Sequence, residues 1–236
     1  MSTVAYITTR GLFGRRRILL LLPLPVLLVG LALICRSYDV DPQQWGQAVV
    51  LGLGLAVVLP VIALIVGTGV LGSEVDDGTI VHILTKPLPR RDIILAKLLV
   101  AAGVSAVVTA VPLFVAGLLA DGVRFGLALA VAAAAGALAY SALFLLLSLV
   151  TRRPVLLGLV YILVWEGLLG RFVSGTRVLS IEQYVITIAD RIAPTTMLDA
   201  KVSLTVALVM TTIFAIGGTL YAINRLGSFS VAGETS

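Results

Sequence analysis

Six apolar runs, at 18–35, 48–71, 93–120, 125–150, 155–169 and 202–223, decide what this chain can become. At ~1.5 Å per helical residue, runs of this kind reach across most or all of a hydrocarbon layer ~30 Å thick. Charged residues make up only 12% of the chain, against roughly 25% in a soluble domain. A chain so poor in charge cannot cover its surface in water, but it can against lipid. The expectation is an all-α integral membrane protein with six transmembrane helices, formed as a single domain over residues 1–236. The short polar stretches between the runs leave no room for a separate soluble catalytic domain.

The basic residues set the orientation. With six spans, Arg10, Arg15, Arg16, Arg17, Lys86, Arg90, Arg91, Lys97, Arg152, Arg153 and Arg225 fall on one side. Arg36, Arg124, Arg171, Arg177, Arg191 and Lys201 fall on the other, so eleven of the 17 Lys and Arg share one face. Cytoplasmic loops carry the excess of Lys and Arg, which places both termini and the central polar segment in the cytoplasm. The net charge of +5 sits in short clusters beside apolar runs, a membrane-flanking pattern and not a nucleic-acid groove. Residues 2–13 are mildly amphipathic and precede three arginines. They read as an N-terminal helix lying in the interface, with a frayed tail as the alternative. The N-terminus lacks a small-residue cleavage pattern, and bulky Ile34 before Cys35 argues against a lipoprotein site, so the first run is expected to be a retained helix.

Enzyme signatures are missing. One histidine and one cysteine, His82 and Cys35, lie on opposite sides of the membrane in this topology and cannot share a metal site within one chain. No HExxH, G-x-S-x-G or GxxxxGK[ST] pattern occurs. No catalytic, cofactor or metal residues are expected in this chain. Gly67, Gly69 and Gly72 match G-x-G-x-x-G, but they close an apolar helix and no strand precedes them, so they read as helix packing or a hinge. Pro23, Pro25, Pro60 and Pro112 lie inside spans as kinks, either static or serving as hinges.

Residues 72–97 form the central polar interruption. Ser73 with Asp76 three residues on resembles a capping box, and Glu74, Asp76 and Asp77 put negative charge where a helix N-terminus favours it. Val75, Thr79, Ile80, Ile83 and Leu84 cover about half of a helical wheel. Gly78 weakens that helix, so one piece or two are both compatible with the pattern. Lys86 to Arg91 reads as a stiff basic turn, and Asp92 as the cap of the third span. A short amphipathic helix held between two spans suits docking in a groove of a soluble partner; a solvated loop with a surface helix fits the same spacing.

The run Ser73-Glu74, Asp77-Gly78-Thr79, Leu84, Lys86-Pro87, Pro89-Arg90-Arg91 and Ile93 to Lys97 resembles the first intracellular loop of ABC-2 type transporter permeases. The six-span plan and the interfacial N-terminus are similar to that family. So are the amphipathic segment before the last span and the stretch Trp165-Glu166-Gly167-Leu168-Leu169-Gly170. The doubled Asp76-Asp77 departs from the pattern, since the position before Gly-Thr varies in the family. The resemblance implies a multi-pass permease of the bacterial cytoplasmic (inner) membrane, an exporter that pairs with a second permease subunit. ATP and magnesium would be bound by a separate ATP-binding subunit. The family's coupling helix maps to Glu74, Val75, Asp76, Asp77, Gly78, Thr79, Ile80, Ile83 and Leu84, followed by Arg90 and Arg91, with Glu74 as the acidic position facing the ATPase. Rival readings are a stand-alone secondary transporter or channel, and a non-transporting membrane scaffold.

Two further features complete the sequence picture. Ser180-x-x-Gln183 is a capping box, Ile181, Tyr184, Val185, Ile188 and Ile192 recur at helical spacing, and Pro194 ends the run. This predicts a short amphipathic helix between spans five and six on the outer side. Glu166 is the one carboxylate inside a predicted span. A charged group at mid-membrane costs at least ~2.5 kcal/mol, so it must face protein or water. It lines a gate or cavity, with Trp165 beside it, or it bonds a backbone amide of the following turn or an outer-loop arginine.

Overall fold

The structure, a computed structural model, describes residues 21–76, 90–170 and 174–229. The expected interfacial helix at 2–13 and the segment 77–89 lie outside the described residues. All regular structure among the described residues is helical.

Helix α1 spans Pro23–Ser37; the chain bends at Leu22, immediately ahead of a proline in the first turn. Tyr38 to Val40 turn back, with Asp39 at φ 50°, a left-handed conformation that Asp tolerates better than most residues. Helix α2 joins three consecutive segments, Pro42–Gly46, Gln47–Val58 and Leu59–Asp76. The polar stretch before residue 48 is therefore not all loop. Asp41 accepts the Gln43 N–H at 3.1 Å and Pro42 occupies the first turn, so the helix opens six residues earlier than the apolar run suggests. The middle segment is wound as a π-helix, closed by the Leu59 N–H to the Gly54 carbonyl, directly before Pro60, which has no N–H to give.

Helix α3 (Arg90–Asp121) runs through Pro112 without a break and begins two residues before Asp92, which therefore lies in its first turn and complements the helix dipole instead of capping it. Gly122, at φ 93°, makes the tight turn into α4 (Val123–Val150). Helix α5 covers Pro154–Leu169, π-wound over Tyr161–Leu169. A 3₁₀ turn at Ser174–Leu179 leads into α6 (Ile181–Ile192), and α7 is Leu204–Phe229, continuing six residues beyond the last apolar run.

Among the described residues, four helices are long and apolar enough to cross a membrane: Pro42–Leu71, Arg91–Asp121, Val123–Val150 and Leu204–Leu226. The apolar helices Pro23–Ser37 and Pro154–Leu169 are shorter, ~22 and ~24 Å at ~1.5 Å per residue. Helix α4 is the hub, packing on α2, α3, α5, α6 and α7. Its alanine-rich stretch supplies the smooth face that close helix packing in lipid requires, with Ala132, Ala133, Ala137 and Ala139 fully buried. Glycines extend the principle. A Cβ on Gly117 of α3 would lie 2.8 Å from the Gly126 Cα of α4, so the two backbones touch there. A Cβ on Gly67 would come within 3.0 Å of Phe144 Cβ, which places the first glycine of the G-x-G-x-x-G run in the α2–α4 contact.

The bundle has two ends. One carries α6 and the turns at 38–41 and 121–123; the other carries the boundaries of segment 77–89, the turn at 151–153 and the end of α7. The main apolar core fills the middle and the α6 end. A separate small cluster of Leu71, Ile94, Leu98, Ala142, Leu145, Leu149, Ala222 and Leu226 closes the other. Large apolar side chains on α1, α5 and α7 face outward, among them Val26, Leu31, Leu163 and Ile213, consistent with a lipid-facing perimeter.

Candidate functional site

Of the residues expected to meet a partner, Glu74, Val75 and Asp76 lie on the last turns of α2. The helix is continuous across Gly72 to Asp76, so Ser73 is interior to it and does not open a new helix. Asp77, Gly78, Thr79, Ile80, Ile83 and Leu84 lie outside the described residues. Arg90 starts α3, and Arg91 is exposed with its Nε 3.8 Å from Asp92 Oδ1, a pair worth little in solvent. Helices α2 and α3 thus bracket 77–89 from one end of the bundle.

The other candidate, Glu166, is 2% exposed and sits in the π-wound part of α5. Four neutral donors converge on its carboxylate. Tyr140 of α4 and Tyr161 of α5 donate phenol hydroxyls to Oε1 at 3.0 and 3.1 Å. The Ile181 backbone N–H donates to Oε1 at 2.9 Å, and the Ser180 hydroxyl donates to Oε2. Two of these donors belong to the N-terminus of α6, where a helix dipole favours an anion. Tyr161 reaches Glu166 because residues five apart come together in a π turn, whereas in an α-helix partners are three or four apart.

Ser180 works twice. Its Oγ accepts the Gln183 N–H at 3.3 Å, the expected cap, while its hydroxyl hydrogen goes to Glu166. The reciprocal half of the capping box is not formed, since the Ser180 N–H goes to the Arg177 carbonyl. Trp165 donates from Nε1 to the Leu179 carbonyl at 3.3 Å, and Thr176 from Oγ1 to the Leu169 carbonyl at 2.7 Å, strapping the 174–180 turn to the end of α5. At the other end of α6, Arg124 Nε donates to the Ile192 carbonyl at 3.0 Å. The amphipathic helix read from the sequence is therefore packed into the bundle. Ile181, Tyr184, Val185 and Ala189 are buried against α4 and α7. Burial, and then the nearby Glu166 carboxylate, raise the Tyr184 phenol pKa above its usual value.

Sequence reasoning anticipated a backbone amide for Glu166 but not the tyrosines. The available signal was that phenols inside apolar spans need partners. Tyr140→Phe and Tyr161→Phe are each expected to lower stability by about 1 kcal/mol, the net worth of one hydrogen bond, read as a shift in the detergent unfolding midpoint. Lys97, counted from the sequence only among the basic residues of one side, is 1% exposed, and its Nζ donates to the Val70 carbonyl of α2 at 2.8 Å.

An all-helical bundle with lipid-facing helices and glycine-mediated contacts defines a multi-pass membrane protein. The family model described as "ABC-2 family transporter protein" matches residues 15–170, well over half of the chain, and the chain belongs to that family. The match covers the central segment and Glu166; α6 and α7 lie beyond it. No curated protein matches the chain.

Proposed function

We propose that this chain is the six-span permease subunit of an ATP-driven exporter in a bacterial inner membrane, with both termini and segment 77–89 in the cytoplasm. The shorter helices α1 and α5 complete the six spans. A separate ATP-binding subunit, which holds ATP and magnesium, docks on residues 73–91, and a second permease subunit completes the pathway; this chain has no enzymatic activity of its own. The observation that carries the reading is the family match across the whole loop region, with α2 and α3 delivering the two sides of that loop to one end of the bundle. The excess of basic residues on that end supports its cytoplasmic placement. Closure of the ATPase pair would pull on the loop and switch the spans as rigid bodies between inward-open and outward-open arrangements.

The test is purification of the full chain from its native host with identification of what accompanies it. An ATPase subunit is expected. Glu74→Lys and Asp77→Lys are each expected to weaken its retention about tenfold or more, ~1.4 kcal/mol, as repulsion replaces complementarity. Transport of a solute down an ion gradient by the chain alone would overturn the reading in favour of a secondary transporter. Retention unaffected by both reversals would move the docking surface elsewhere.

A further inference from the structure

An ammonium group inside a membrane helix is costly, and a leucine at position 97 would pack without that cost. Lys97 is nonetheless 1% exposed, and its Nζ crosses to the Val70 carbonyl at 2.8 Å. Burying a charge is weak evidence for stability and better evidence for fixing one arrangement among several. The arrangement fixed here is local. Val70 lies six residues before the end of α2 and Lys97 seven residues after the start of α3, so the bond ties the two helices next to where both enter segment 77–89. A cation near the C-terminal end of α2 also complements that helix's dipole.

The surroundings explain why such a tie has work to do. The loop end of the bundle is closed by its own small apolar cluster, to which α2 gives Leu71 and α3 gives Ile94 and Leu98. Apolar contacts in lipid have little hydrophobic drive behind them, because lipid tails solvate Leu as well as another Leu does. A force applied to the loop could therefore splay α2 from α3 within that cluster and go no further. A directional, charge-assisted bond resists splaying in a way that the apolar contacts do not.

We propose that Lys97 is a positioning residue that joins the loop-proximal ends of α2 and α3 into one rigid body, so that displacement of segment 77–89 by the ATPase enters the bundle as motion of the helix pair. This rests on the permease reading given above.

The test uses the complex of the full chain with its ATPase subunit in lipid nanodiscs. Hydrogen exchange is compared between nucleotide-free and ATP–vanadate-trapped states, for wild type, Lys97→Met, Lys97→Gln and Lys97→Arg. Wild type is expected to show nucleotide-dependent exchange differences at the α6 end, over 121–124 and 180–201. In Lys97→Met and Lys97→Gln those distant differences are lost while vanadate-trapped nucleotide is still retained, and Lys97→Arg restores them. A merely structural lysine would lower yield and leave the distant difference intact in the folded fraction. Wild-type-like distant differences in either Met or Gln overturn the proposal and leave the permease reading standing; the Gln variant carries the test should Met fail to fold. A wild-type chain with no ATPase partner, or with no nucleotide effect at all, overturns the permease reading and the proposal with it.

Discussion

Glu166→Leu is expected to lower the unfolding free energy by about 2–5 kcal/mol. The lower figure takes four hydrogen bonds, three of them from outside α5, at the ~0.6 kcal/mol averaged for interhelical bonds in membranes. The upper figure follows from leaving buried donors without an acceptor, at ~1–3 kcal/mol each with partial relaxation. The second effect should dominate for the Ile181 N–H, because it is held in place by the helix it starts. The Ser180 and tyrosine hydroxyl hydrogens can turn about their C–O bonds; a backbone N–H cannot. Glu166→Gln keeps the shape and one carbonyl, and is expected to cost about 1–2 kcal/mol. Unfolding in mixed detergent and SDS micelles reads both, and exchange of α6 amides locates the damage. Equal, small losses for Leu and Gln would show that the carboxylate does not hold α6.

Gly126→Ala is expected to cost about 3 kcal/mol, the top of the usual range for overpacking. A Cβ there would meet the Phe114 carbonyl oxygen at 2.7 Å and the Leu118 backbone nitrogen at 3.2 Å. Backbone atoms cannot turn aside as a side chain can, so the α3–α4 hairpin must separate along its most extensive contact. Gly103 of α3 is the control. Nothing lies within 4 Å of its Cβ position, and alanine there should be neutral or stabilising by up to about 1 kcal/mol. The same unfolding assay separates the two. A Gly126→Ala protein as stable as Gly103→Ala would mean that the hairpin has slack at its crossing.

What could be read from the sequence divides along physical lines. The extent of helix α6 was legible, because Ser180, Gln183, the 3.6-residue spacing and Pro194 are all local signals, although only half of the capping box forms. The start of α2 was not, although Asp41-Pro42 is also local: the polar residues Gln43, Gln44 and Gln47 masked a helix that hydropathy alone does not see. At the other end, Ser73 carries a cap signature inside a continuous helix, since a cap needs a chain that turns there and α2 does not turn. Glu166 was identifiable as a buried group in need of partners. Its partners were not, because Tyr140 is contributed by another helix 26 residues away and Tyr161 is brought round by π winding that no apolar period encodes. The partner of Lys97 was not legible for a related reason, since a lysine near a span's edge can reach for headgroups, and this one turns inward to a carbonyl of another helix.

The anchoring of α6 at both of its ends bears on how the protein is made. Its N-terminus is held by Glu166 and its C-terminus by Arg124, which lies 68 residues before Ile192. A nascent chain leaves the ribosome from its N-terminus, so α4 and α5 are made before α6. The docking sites for α6 are then complete before α6 exists, but its far flank, α7, is not. Until α7 arrives, a helix with one strongly apolar face has two polar tethers and half of its packing. Packing around α6 is thus complete only once α7 is in place, and truncation after residue 203 is expected to leave α6 tethered but with one flank open.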